Sequence, residues 1–355
     1  MDAWEVVPSP SWKGPTDWNF LNAVSAVGDE AWAVGSFQRP GDCCVPHALI
    51  EHWDGDRWSV VSNPGAHVPV ESPLNGVAAV SATDVWAVGQ LGDQPLIEHW
   101  DGDRWSVVPN PEVTSPAWLD AVIAVAEKDI WAVGSMGRRP LVEHWGGNSW
   151  SVVPTPRIPT PADARVVLQA ISASSPADVW AVGELAATGS VAGNGRVLIE
   201  HWDGDRWRVV VGPKTGHRGY LTGVTALSAT DAWAVGYTPN FPLFEHWDGQ
   251  RWLLVGRWPV SVRVGQTPFG TSALFGVAAP SSSDVWAVGV SAAKTRIVHW
   301  DGAGLSLVPS PDRTSGWNGL SAVWVGASGD AWAVGSASNI LGRVWKTLVE
   351  RHDAT

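Results

Sequence analysis

Four side chains of this chain are candidates for acid–base chemistry: Glu184, His217, Tyr237 and Asp17. Each could act as a general acid or base if a pocket moved its pKa towards neutrality. A second set could hold a ring-bearing ligand. It comprises Trp18, Phe20, Trp118, Tyr220 and Trp317, with Arg165, Arg218 and Gln90 as polar companions. Aromatic faces stack on a sugar or a planar group, and a guanidinium pairs with a carboxylate. Two plainer readings stand beside these. The aromatics could simply plug a central channel, and the acids could be solvated loop residues.

The pair Glu-His occurs five times, at Glu51-His52, Glu98-His99, Glu143-His144, Glu200-His201 and Glu245-His246, with Val298-His299 and Glu350-Arg351 in the two remaining places. Five near-identical metal sites account for this less well than one repeated hydrogen bond. Neighbours in a strand face opposite sides, so a Glu of one unit is expected to meet a His or Arg of the next. Cys43 and Cys44 are the only cysteines, and His47 follows. A redox pair or a soft-metal site is one reading. Two loop thiols is the plainer one, because recognised metal motifs space their cysteines by two or more residues. No nucleophile motif, phosphate loop or metal constellation is present, so neither metal nor cofactor is expected.

What must position these residues is a repeat. Trp-Ala-Val-Gly occurs seven times, starting at Trp32, Trp86, Trp131, Trp180, Trp233, Trp286 and Trp332, at intervals of 54, 45, 49, 53, 53 and 46 residues. Self-similarity at this period marks a repeat architecture. In the second unit four short apolar runs, rich in Val and Trp and bounded by Gly, Pro, Asp or Ser, read as strands a (74–80), b (85–89), c (96–100) and d (104–108). Asp101-Gly102 between c and d favours a type I′ hairpin turn. Four antiparallel strands per unit match a β-propeller blade.

The expected fold is therefore all-β: a seven-bladed β-propeller in one domain over 1–355. The blades fall near 17–64, 71–111, 116–156, 165–212, 219–256, 271–311 and 317–353 plus 3–10. The last unit lacks a strand d, and Trp4-Glu-Val-Val-Pro8 reads like Trp105-Ser-Val-Val-Pro109. The N-terminal strand is expected to complete the C-terminal blade beside 348–353 and to close the ring, removing a sheet edge. Nineteen of the 26 Trp fall in register with the repeat, at the start of b, the end of c and the start of d. They are expected to pack between blades.

These segments resemble the Trp-rich seven-bladed propellers of bacteria that carry recurrent Asp-Val-Trp-Ala-Val-Gly and Ile-Glu-His-Trp-Asp-Gly. The resemblance covers essentially the whole chain and implies the fold but no single activity. Other propellers fit less well. A sialidase Asp-box separates its Asp and Gly, whereas Asp101 and Gly102 are adjacent. The Gly-His…Trp-Asp signature of WD40 repeats is absent, and streptogramin-lyase propellers resemble the chain in blade number alone.

The a–b and c–d turns are short and uniform. The b–c and d–a connections vary, and variable loops on a rigid scaffold are where function concentrates. Two positions should ring the mouth. One precedes strand a. The other follows each Trp-Ala-Val-Gly, where the residues are Ser36, Gln90, Ser135, Glu184, Tyr237, Val290 and Ser336. Net charge is −12 with no basic cluster, so nucleic acid and anionic membranes are not expected partners. No apolar run spans a bilayer. The start lacks a leader, so the expectation is a cytoplasmic monomer, secreted if a leader has been removed. The function expected is binding of a glycan or another ring-bearing small molecule. A cofactor-independent lyase, cyclase or hydrolase is the alternative, and a protein-interaction platform a weaker one. Sugars held at equivalent positions between blades would favour binding. One buried polar pocket containing Glu184 would favour the enzyme.

Overall fold

The computed structural model describes residues 4–12, 18–39, 45–113, 116–159, 164–187, 196–214, 219–239, 241–255, 272–339 and 344–354. Apart from one 3-10 turn at Pro64–His67, every regular element there is a β-strand. In the second unit Leu74–Ser81, Asp84–Leu91, Gln94–Trp100 and Trp105–Val107 form an antiparallel sheet in chain order. The same order recurs in the units whose first strands are Ala117–Ala126, Ala164–Ser175, Tyr220–Ser228 and Ala273–Ser281. A single parallel bridge, Trp18 to Trp345, joins the first and last units into one larger sheet.

The last unit contributes Asn318–Val325, Ala331–Ser338 and Trp345–His352. Its fourth strand is Glu5–Val6, whose residues pair antiparallel with Arg351 and Glu350. Val7 N then donates to Val349 O at 2.9 Å. The N-terminal segment thus lies where its likeness to the other fourth strands puts it. First strands of successive units touch, and Trp18–Val27 touches both Leu74–Ser81 and Asn318–Val325. No helix among the described residues is long and apolar enough to cross a membrane.

Packing between sheets is set by tryptophan. Trp32 of a second strand lies 5.1 Å from Trp100 and 5.4 Å from Trp105 of the next unit, the latter edge-on at 78°. Trp86 meets Trp145 and Trp150, Trp131 meets Trp202 and Trp207, and Trp180 meets Trp247 and Trp252 in the same way. Trp233 meets Trp300 alone, because Leu305 stands where the other units start their fourth strand with Trp. Trp286 meets Trp4 from the N-terminus, and Trp332 returns to Trp53 and Trp58 of the first unit. Edge-to-face rings at these distances add to the burial of ~150–250 Å² per indole.

The third-strand histidines differ from expectation. Each imidazole stacks on the indole of its own sheet, as His52 does on Trp32 at 4.1 Å. Its Nε2 meets an acid that begins the second strand of that same sheet: His99–Asp84 at 2.8 Å, His144–Asp129 at 2.7 Å, His246–Asp231 at 2.9 Å, and His52–Glu30 at 3.1 Å. A Glu-to-His contact between units does not form among the described residues: the two side chains do leave the strand on opposite faces, but the indole and the acid of its own sheet already hold each imidazole. The histidine turns to the indole, and the glutamate turns to the preceding unit.

The hairpin between third and fourth strands also differs. Trp100 pairs with Trp105, so four residues make the loop. Only Gly102 has positive φ, at 95°. The loop is held by Asp101 Oδ1, which accepts from the N–H groups of Asp103 and Arg104 at 3.0 Å each. A two-residue type I′ turn would need positive φ at both central positions.

Glu51, Glu98, Glu143, Glu200, Glu245 and Glu350 are fully buried. Ser9 Oγ donates to Glu51 at 2.7 Å, Gly65 N to Glu98 at 2.7 Å and Ser310 Oγ to Glu350 at 2.9 Å, each from the loop that leaves the preceding unit. Glu143, Glu200 and Glu245 make no side-chain hydrogen bond among the described residues. Burial pushes their carboxyls up from 4.5 to about 7, about 8 and about 8. The folded chain therefore holds protons that the unfolded chain releases above about pH 4.5. Stability is full below that pH and is lost as pH rises through about 8. The thermal midpoint is expected to fall between about pH 5 and about pH 9. In a Glu143→Gln, Glu200→Gln, Glu245→Gln triple variant much of that fall should vanish. Calorimetry at fixed ionic strength checks this, and an unchanged slope in the triple variant would contradict it.

Candidate functional site

Each first strand carries a β-bulge immediately after a fully buried leucine. The breaks fall between Leu21 and Ala23, Leu74 and Gly76, Leu119 and Ala121, Leu168 and Ala170, Leu221 and Gly223, Leu274 and Gly276, and Leu320 and Ala322. The extra residues are Asn22, Asn75, Asp120, Gln169, Thr222, Phe275 and Ser321. A bulge re-aims one side chain out of the ladder. Here the re-aimed group reaches the next unit. Asn22 Nδ2 donates to Leu74 O at 2.8 Å, Asn75 Nδ2 to Leu119 O at 2.9 Å, and Thr222 Oγ1 to Leu274 O at 2.8 Å.

The glycine of Trp-Ala-Val-Gly makes the bulge possible. A Cβ on Gly134 would overlap the carbonyl oxygen of Trp118, and a Cβ on Gly35, Gly89, Gly183, Gly236, Gly289 or Gly335 would overlap the equivalent carbonyl of its own unit. Close backbone approach therefore requires glycine there. The same motif positions the indole between sheets and lets the first strand bend towards the pocket.

Six bulge residues, all but Asn22, line one pocket of about 500 Å³ together with Trp118, Arg165, Val167 and Glu184. A smaller space of about 270 Å³ adjoins it and shares Trp118 and Arg165. Gln90, Asp93 and Pro116 border this second space. Trp118 and Arg165 form the common wall, with the guanidinium carbon 4.5 Å from the indole centroid. Trp118 Nε1 donates to Asp120 Oδ2 at 3.0 Å. Burial pushes the Asp120 carboxyl up to about 7, against the opposing effects of the Trp118 hydrogen bond and the Arg165 charge. Arg165 Nε is buried and makes no hydrogen bond among the described residues.

The described residues among those singled out from sequence fall into three groups. Trp118, Arg165, Gln90 and Glu184 border the two spaces. Tyr220 stacks on Tyr237 at 4.9 Å, and Tyr237 meets the pocket residue Phe275 edge-on at 6.3 Å. Trp18, Phe20 and Trp317 gather instead around Trp345: Trp18 bridges to it through the backbone, and the rings of Phe20 and Trp317 lie 5.3 and 5.1 Å from its centroid. Asp17, His217, Arg218, Cys43 and Cys44 lie outside the described residues. The bulge residues themselves, Asp120 above all, escaped the sequence reading. Their signal was present, since six of the seven residues that follow the first-strand leucine are polar within an apolar strand.

No protein-family model and no curated protein sequence matches the chain. Solved structures match over its whole length. YCF48 bound to D1 peptide matches with a TM-score of 0.60 and 14% identity, covering 100% of this chain and 96% of that one. YCF48 from Cyanidioschyzon merolae gives 0.61 and 15%, covering 99% and 98%. The WD40 repeats of RRP9 give 0.59 and 14%, covering 100% and 99%. At such identity the likeness is one of fold: the chain is a β-propeller built from repeated four-strand sheets.

Gly134→Ala is expected to displace Trp118 and to lower stability by roughly 1–3 kcal/mol, the usual range for overpacking. Thermal unfolding and the near-ultraviolet signal of the indoles measure both effects. Wild-type values for the variant would contradict the assigned close approach.

Proposed function

We propose that the chain is one closed seven-bladed propeller over 1–355, of the Trp-rich bacterial kind, and that it binds a carbohydrate or another ring-bearing small molecule at the inner ends of its first strands. Closure is supported by the return of Trp332 to Trp53 and Trp58 and by the pairing of Glu5–Val6 with the last unit. The binding reading is carried by one observation, the convergence of six bulge residues with Trp118 and Arg165 on one pocket of about 500 Å³. That volume lies within the ~300–1,000 Å³ of small-molecule sites. Asn75, Gln169 and Thr222 offer neutral donors and acceptors for hydroxyls, while Phe275 and Trp118 offer ring surface.

A cofactor-independent lyase, cyclase or hydrolase is the second reading, and a specific observation favours it. The pocket is polar and contains Glu184, and beside it Asp120 has a carboxyl pushed up to about 7. A carboxyl near neutrality can both give and take a proton. A peptide-binding platform is a weaker reading, supported by the peptide named with one similar structure.

Calorimetric titration against a glycan and metabolite panel tests the site. Trp118→Ala and Phe275→Ala are expected to weaken binding at least ~10-fold, about the 1–1.5 kcal/mol of one lost ring contact. Trp317→Ala, outside the pocket, should leave it unchanged. Full affinity in Trp118→Ala would reject the site. NMR spectra of the same mixtures decide between binding and turnover.

A further inference from the structure

We propose that the ligand of this pocket is a hydroxylated ring bearing a carboxylate, that the carboxylate seats on the Arg165 guanidinium where it lies on Trp118, and that it enters with one proton, which Asp120 takes up. The proposal rests on the binding reading above and narrows it to one chemical class.

Among the described residues that line the pocket, the charges belong to two neighbouring units. Asp120 is the one acid among the seven bulge residues, and Arg165 is the one cation among the described residues that line the pocket. The remaining bulge positions are Asn, Asn, Gln, Thr, Phe and Ser. The Arg165 guanidinium carbon lies over the Trp118 indole, 4.5 Å from its centroid, with Nε buried and not hydrogen-bonded to any described residue. A buried donor left in that state is unfavourable. A carboxylate is the group that matches the planar fork of a guanidinium with two parallel hydrogen bonds.

Asp120 can take up the proton. At the equivalent position Asn22, Asn75 and Thr222 each donate a hydrogen bond to the carbonyl of the buried leucine in the next unit. For Asp120 the corresponding carbonyl belongs to Leu168, which follows by the same repeat. An ionised carboxylate has nothing to donate there, whereas a protonated one does. Burial favours the protonated form of Asp120, while the Trp118 hydrogen bond and the positive charge of Arg165 oppose it. The single negative charge of a ligand carboxylate offsets that positive one, and this drives Asp120 to its protonated form. Glu184 in the same pocket and Asp93 beside the smaller space are the other charged groups among the described residues that line the two spaces. Both are acidic and act in the same direction.

The test is calorimetric titration of the full chain with matched pairs, glucuronate against glucose and galacturonate against galactose, with acetate as a carboxylate that lacks the ring. The acids are expected to bind at least ~10-fold more tightly than their neutral partners at about pH 6, and acetate weakly. Their affinity should fall on the order of 10-fold per unit of pH above about 7, with one proton taken up per ligand. Asp120→Asn, which installs the residue native to the first two units, should keep the preference for acids and lose the pH slope. Arg165→Met should erase the preference for acids, and Arg165→Lys should restore part of it. Equal affinity for acid and neutral sugars would overturn the proposal while leaving the binding reading intact. A pH slope that persists in Asp120→Asn would overturn the proton uptake. Absence of binding to every compound would overturn both readings.

Discussion

The contact on which this molecule depends is that of one indole against two. In most units the second-strand Trp is pinned between the histidine of its own sheet and the third- and fourth-strand indoles of the next, as Trp180 is between His201, Trp247 and Trp252. The neighbour sheet therefore has to present its outer strands at one distance and one angle. A short fourth strand of three residues suffices for this, because its job is to deliver a Trp. The N-terminal segment obeys the same constraint. Trp4 is the indole that Trp286 needs, and the pairing of Glu5–Val6 follows from delivering it.

With the outer strands set by aromatic area, the inner strands are free to carry chemistry. The glycine that ends each Trp-Ala-Val-Gly lets the first strand come within backbone contact and bulge. Six of the seven units therefore offer one bulge side chain to a common space, and the interfaces tolerate whatever that side chain is. The buried glutamates show how much polar residue the same interfaces can hold, at the cost of keeping the carboxyls protonated. Repetition builds the wall. What distinguishes the site is the place where repetition fails, at Asp120 and Arg165, with Glu184 facing the same pocket.

Much of this is legible without coordinates. The strands, their order and the N-terminal fourth strand follow from turn-bounded apolar runs and from the likeness of Trp4–Pro8 to Trp105–Pro109, because strand periodicity and self-similarity are local properties. The Glu-His pairing was not legible. Alternation says that the two side chains diverge, but it does not say which acid meets the imidazole, and that acid sits at the far end of another strand. The site was legible in part. Trp118, Arg165, Gln90 and Glu184 stand out as departures from the repeat, whereas Asp120 and Phe275 sit inside a strand whose bulge no periodicity announces. Trp18 and Trp317 share the composition of the site but are drawn off by Trp345, a contact set by tertiary geometry.

Whether the inner bulges form a binding site is decided by difference electron density from crystals soaked with a mixed glycan and metabolite panel. The expected result is an ordered ligand between Trp118 and Phe275, in contact with Arg165 and Asp120. An ordered ligand on the hairpin face, beside the His–Asp pairs or along the outer strands, with this pocket left to solvent, would contradict it.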